Sequence, residues 1–300
     1  MGLEAPKTFD HREWIFPWLF IAPPGTGKSW TLGSMMEVPG VERGLLLAPK
    51  PREADSYLYR KHKALGRLDV EVFRDIKWAP VLESYGADAY DRLFRRVLDL
   101  YEDEKYDVVL LDPLTDACTL LIHKILSPAR VGTPGDLEGK NASVAFYGSL
   151  KNDLRDFTQS LVGLSSAAAK RPKHVLVAIH AQPVKEENLL EKDPSKRVTP
   201  EGHAKGVSFL GEILPSLDGS YRQDLAGEFS VVGFNGLKYE MEDYKTPSGG
   251  KGKRQVARYV VQLNADPERH AKAAIVPRLA EKEVPNSMVD IFRVIEEASR

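Results

Sequence analysis

With a single cysteine, Cys118, the chain can form no intramolecular disulfide, and one thiol is too few for a cysteine metal site. A reducing cytoplasm is the expected setting. Nowhere do some 18 uncharged apolar residues run together, so no membrane span is expected. Residues 1–13 carry Glu4, Lys7, Asp10, His11, Arg12 and Glu13 without an apolar core segment, so no signal peptide is expected. Charge of one sign is lacking too, since 42 Lys and Arg stand against 43 Asp and Glu. Any nucleic-acid contact must therefore come from local patches. No repeat or compositional break marks a second domain, and 300 residues with 42% hydrophobic content are enough for one substantial core. The expected organisation is a short arm over 1–13 and a single domain over 14–300.

What is present is a loop suited to phosphate. The apolar run Trp18-Leu19-Phe20-Ile21 leads into Ala22-Pro23-Pro24-Gly25-Thr26-Gly27-Lys28-Ser29, and Trp30 to Met36 can continue as a helix. Such a strand, loop and helix turn successive backbone N–H groups around a phosphate at the positive end of the helix dipole. Gly25 and Gly27 allow positive φ and close backbone approach. Lys28 can reach β- and γ-phosphate oxygens, and the Ser29 hydroxyl can ligate Mg²⁺. The pattern G-x-x-x-x-G-K-[ST] is met except that Ala22 replaces its first glycine, a position that ends the strand and does not touch phosphate. The segment from Pro24 through Gly25, Thr26, Gly27, Lys28 and Ser29 to Trp30 is thus the candidate nucleotide-binding stretch.

Further on, strands are expected at Gly44 to Ala48, at Asp69 to Phe73, and at Tyr106 to Asp112, where four aliphatics are closed by a carboxylate. In a phosphate-loop protein, Asp112 stands where a metal-organising carboxylate belongs. Tyr90, Leu93, Phe94, Val97, Leu98 and Tyr101 trace the apolar stripe of a helix on a sheet. Helices are also expected at 115–126 and from Phe146 to Leu164, and a strand from His174 to His180. Between them, 127–141 is rich in proline and glycine, and 181–206 is polar and loop-like. Runs at Glu228 to Phe234, Leu237 to Tyr244 and Arg258 to Leu263 suggest antiparallel strands. A glycine-rich tip there carries Lys251, Lys253, Arg254 and Arg258, either a solvated turn or a phosphate-backbone contact.

Taken in order, the phosphate loop, the strand running into Asp112-Pro113-Leu114-Thr115, the strand ending in His180, the polar loop and the antiparallel extension resemble the RecA-like ATPase core. The nearest likeness is to compact phage-type RecA-like ATPases of single-strand annealing and recombination, over roughly residues 15–280. The resemblance implies an α/β P-loop NTPase core, a mainly parallel sheet flanked by helices with an antiparallel C-terminal extension. It implies ATP and Mg²⁺ held by Lys28, Ser29 and Asp112, ATP hydrolysis, and a homo-oligomeric ring or filament with ATP at subunit borders. It also implies single-stranded DNA facing loops 127–141 and 181–206, contacts with single-strand-binding or replication proteins, and a host bacterial cytoplasm if a phage encodes the chain. His180 matches the polar residue that senses the γ-phosphate. Lys272 matches one cation of a K-x-R element reaching the neighbour's ATP. Ala274 stands where the arginine would be, with Arg278 as a substitute.

One departure bears on turnover. The glutamate that such enzymes carry after the second core strand is missing, because Pro49-Lys50 stands there; Glu53, folding back, or Asp75 could serve instead. An ATP-gated assembly or recruitment protein with little hydrolysis is therefore the second reading. A small-molecule kinase needs an arginine-rich lid, and the region after His180 offers no arginine before Arg197.

Overall fold

The computed structural model describes residues 11–73, 87–126, 142–183, 213–215, 217, 221–245, 251–263, 272–273 and 283–299. Strand β1 (Pro17–Ala22) is buried along its whole length, as are β2 (Gly44–Ala48) and β4 (Val108–Leu111). Runs apolar on both faces suit the middle of a parallel sheet with helices on either side. In β1, side chains alternate between the two faces: Leu19 and Ile21 enter one core, Trp18 and Phe20 the other.

Strands β5 (His174–Pro183), β3 (Leu68–Val72), β7 (Val231–Lys245), β8 (Lys251–Gln262) and β10 (Glu283–Pro285) complete the main order β10-β8-β7-β1-β5-β4-β2-β3. The six strands from β7 to β3 are mutually parallel. Strand β8 runs antiparallel to β7 and β10. Two short strands sit off this path, β6 (Ile213–Pro215) on β5 and β9 (Lys272–Ala273) on β7. The architecture is the expected mainly parallel α/β sheet with an antiparallel extension.

Helices α3 (Ala87–Asp99), α4 (Leu114–Leu126), α5 (Ala142–Gly163) and α6 (Tyr221–Glu228) cover one face. Helices α1 (Lys28–Ser34), α2 (Tyr57–Ala64) and α7 (Met288–Ser299) cover the other. The expected apolar stripe of α3 is buried at Tyr90, Leu93 and Val97, whereas Leu98 faces out, 49% exposed. Trp14 and Phe16 pack on the α1 face of their own chain. Among the described residues no helix is long and apolar enough to cross a membrane.

Several expectations are corrected. The runs at 228–234 and 237–244 belong to one continuous strand, and its first part is parallel to β1 because α6 lies in the crossover before it. Lys251, Lys253 and Arg254 lie in β8, paired with β7 as far as Lys245↔Lys251. Strand β5 runs on to Pro183, into the expected 181–206 loop, because Ala181 to Pro183 pair with β6. The carboxylate strand β4, expected one sheet position from β1, stands two positions away, with β5 between them. The rest of the 181–206 loop and the whole of 127–141 lie outside the described residues.

Candidate functional site

The chain leaves β1 at Ala22 and turns through Pro23 to Gly27 before α1 begins at Lys28. Gly25 and Gly27 both lie in the left-handed region, at φ 80° and 85°. A Cβ on Gly27 would also run into the Asn286 amide and stand 3.3 Å from the Tyr259 ring. Thr26 folds its hydroxyl onto the Pro23 carbonyl at 2.8 Å, which closes the turn. No side chain caps α1 at Gly27, so the amides of its first turn face outward from the loop.

Asp112 follows β4 and is completely buried. Tyr59 of α2, also buried, donates its hydroxyl to Asp112 Oδ2 at 3.0 Å. Oδ1 has no hydrogen-bond partner among the described residues. Burial pushes the Asp112 carboxyl up to about 6, with Glu53 adding to the rise, while the Ser29 hydroxyl and the Lys28 ammonium pull the other way. Burial, and then the Asp112 charge, hold the Tyr59 phenol above its usual range, so it remains a donor. A buried carboxylate oxygen without a donor, beside the Ser29 hydroxyl, has the chemistry of a hard-cation site completed by phosphate and water. Ser29 and Asp112 therefore fit Mg²⁺. Among the described residues no group of three His, Cys, Asp or Glu forms an all-protein metal site.

His180 is in register with Ala22 across the β1–β5 pair, directly beside the strand end where the loop departs. Its backbone N–H donates to the Thr115 hydroxyl at 3.1 Å, and its Nδ1 is buried without a partner among the described residues. Burial and the nearby Lys28 ammonium lower its pKa, which keeps the ring neutral at pH 7. Glu53 sits in the 3-10 turn Pro51–Asp55, and its charge is felt at Asp112, Tyr59 and His180. Lys50 is engaged elsewhere, in an ion pair with the buried Asp116. Lys28, Ser29, Glu53, Asp112 and His180 thus converge at the carboxyl end of the sheet.

Lys272 does not join them within its own chain. In β9 it pairs with Val232, itself opposite Leu19, which sets it level with the middle of β1. Asp75 and Arg278 lie outside the described residues. Trp30 is 47% exposed and stacks on Tyr57 with ring centroids 6.3 Å apart and planes 12° from parallel. A cleft of about 1050 Å³ opens beside the loop, bordered by Gly25, Lys28, Trp30, Arg258, Tyr259 and Asn286 among others. That volume is ample for a nucleoside triphosphate.

Three site residues gave no motif signal. Tyr59 holds Asp112; Asn286 donates to the Gly27 carbonyl at 3.0 Å; Asn235 donates to Asn286 Oδ1 at 2.9 Å and to the Thr31 hydroxyl. The one cue is an asparagine interrupting the apolar run Val231-Val232-Gly233-Phe234-Asn235. A buried polar residue needs partners, and here they are the loop and its helix.

No protein-family model matches the chain, and no curated protein matches it. Among solved structures it is similar to an ATPase from the type III secretion system of pathogenic bacteria, with 13% identity and a TM-score of 0.40. That match covers 73% of this chain and 50% of the other, so the chain spans half the length of that protein.

Proposed function

We propose that this chain is a Mg²⁺-dependent ATPase of the phosphate-loop type. The observation that carries the reading is the sealed, partnerless Oδ1 of Asp112 beside Ser29, with Lys28 close by. Lys28 and the amides of the Gly25 to Ser29 loop bind the β- and γ-phosphates. Ser29 and Asp112 would hold Mg²⁺, which when bound neutralises charge on the phosphate oxygens. Glu53 orients the attacking water and takes its proton as the γ-phosphoryl group passes to that water, giving ADP and phosphate. His180, uncharged and beside Lys28, senses whether the γ-phosphate is present and passes that state to the chain after β5. Lys272 serves a neighbouring subunit in a homo-oligomeric ring or filament. The resemblance in the order of sequence parts supports single-stranded DNA as the partner, in phage recombination or replication. The test is phosphate release by the purified chain with Mg²⁺, with EDTA, and with and without single-stranded DNA; turnover unaffected by EDTA would refute the reading.

A second reading is an ATP-gated assembly protein that hydrolyses little, and the Lys50–Asp116 ion pair favours it. At the end of β2, where a water-orienting carboxylate is expected, a cation is tied down instead. Tight ATP binding without turnover, with or without DNA, would select it.

A further inference from the structure

Beyond its contacts with β1 and β10, the β7–β8 pair continues as a two-stranded ribbon, in unbroken register from Leu237↔Tyr259 to Lys245↔Lys251. Strand alternation gives it two unlike faces. On one, Lys238 pairs with Glu283, and Arg258 with Glu240 and Glu242. The other carries Leu237, Tyr239 and Met241 opposite Tyr259, Ala257 and Gln255. Its large side chains lie open: Leu237 is 39% exposed, Tyr239 62%, Met241 63% and Tyr259 49%. A marginal two-stranded ribbon gains nothing by showing such a face to water.

The charge on this ribbon is also out of keeping with the chain. Residues 237–259 hold six Lys and Arg against three Asp and Glu, while the whole chain is at −1. Three of these cations, Lys238, Arg254 and Arg258, are held in ion pairs on the other face; the positive charge that remains, near the exposed Tyr239 and Tyr259, is complementary to a polyanion with flat, stackable faces. Tyr239 and Tyr259 are diagonal neighbours, which sets them about 7–8 Å apart. Successive side chains on one face of a strand stand about 6.7 Å apart, roughly two stacked-base rises, so a base fits between them.

We infer that this ribbon face is a binding surface for single-stranded DNA, with bases stacked on Tyr239 and Met241 and the strand's phosphates drawn to Lys253. The choice of DNA rests on the function proposed above; the aromatic face and its charge do not. Asn286 ties this surface to the phosphate loop, beside which Tyr259 itself stands. The Asn286 backbone N–H donates to the Tyr259 carbonyl at 3.2 Å, and its side chain donates to the Gly27 carbonyl at 3.0 Å. Strand and nucleotide therefore share a mechanical connection.

The test is fluorescence anisotropy with labelled oligo-dT on the full chain, in the wild type and in Tyr239→Ala, Tyr239→Phe and Lys253→Glu. Tyr239→Ala is expected to weaken binding roughly 5- to 100-fold, Tyr239→Phe to restore it, and Lys253→Glu to weaken it and flatten its salt dependence. Binding of a fluorescent ATP analogue should be unchanged in Tyr239→Ala, and circular dichroism should match the wild type. Equal oligo-dT affinity in wild type and Tyr239→Ala would overturn the inference. So would a preference for oligo-U or duplex DNA, or a shift in oligomeric state by light scattering without any change in DNA affinity. ATP binding by the wild type separates the two readings: if it fails to bind ATP but oligo-dT binding still depends on Tyr239, the ATPase reading fails and the ribbon stands.

Discussion

Tyr59 and Asp112, both fully buried, meet through a 3.0 Å hydrogen bond that occupies one carboxylate oxygen and leaves the other without a partner among the described residues. The phenol's bond to Oδ2 restrains the carboxylate. Replacing Tyr59 by Phe removes the donor without altering the packing. The bond helps hold the carboxyl down, so its loss raises the Asp112 pKa. The acid limb of the ATPase pH profile should move to higher pH, and urea unfolding should show a loss of about 1–2 kcal/mol.

Asp112→Asn addresses the same carboxyl through stability. Its pKa is about 6 in the folded chain, against about 3.9 when unfolded. Between these values the folded state binds more protons, so stability falls as pH rises through the window, and the full penalty remains above pH 6. The Asn variant should be more stable than wild type at pH 8 by up to about 3 kcal/mol, with the gap closing by pH 4. Denaturant unfolding at the two pH values reads this directly, and Mg²⁺-dependent phosphate release should be lost.

Lys28→Ala should weaken ATP binding by about 100-fold or more, since a charge-assisted phosphate contact is removed from a nearly buried site. Circular dichroism should be unaltered. Calorimetric titration showing wild-type affinity would count against the site.

Glu53→Gln keeps size and loses the base. Turnover should fall about 10²- to 10⁴-fold with ATP affinity within a few-fold of wild type. Single-turnover kinetics separate this from a binding defect, and undiminished hydrolysis would remove Glu53 from the mechanism.

Gly27→Ala is strained twice, by φ 85° and by collision with the Asn286 amide. A loss of about 1–3 kcal/mol in thermal unfolding is expected, together with weakened ATP binding.

Much of this site was legible in the sequence because its chemistry is local. Gly25 to Ser29 form one contiguous motif, and Asp112 and His180 each end an aliphatic run, so chain order alone brings them to the carboxyl edge of a parallel sheet. Tyr59, Asn235 and Asn286 were not legible, because their roles come from contacts across long stretches of chain and nothing in their neighbours announces a partner. The missing glutamate is a middle case. The substitution by Lys50 could be read, but its ion pair with Asp116 needed the three-dimensional path of the chain after β2. In the second half, β7 reads as two strands because Asn235-Gly236 interrupts its apolar pattern, yet the Asn235 amide N–H donates to Thr31 and Asn286 and the strand runs through. Helix α7 did have a signal, Met288, Ile291, Phe292 and Ile295 at helical spacing, all buried against Trp18 and its neighbours.

Asn286 reaches the Gly27 carbonyl across 259 positions of sequence. During synthesis at about 5–20 residues per second, the ribosome makes the nucleotide loop first and supplies its lock only some tens of seconds later. A nascent chain halted before that point carries the whole phosphate motif but an unbraced Gly27. The loop's final brace is thus made only when the C-terminal part of the chain has been synthesised.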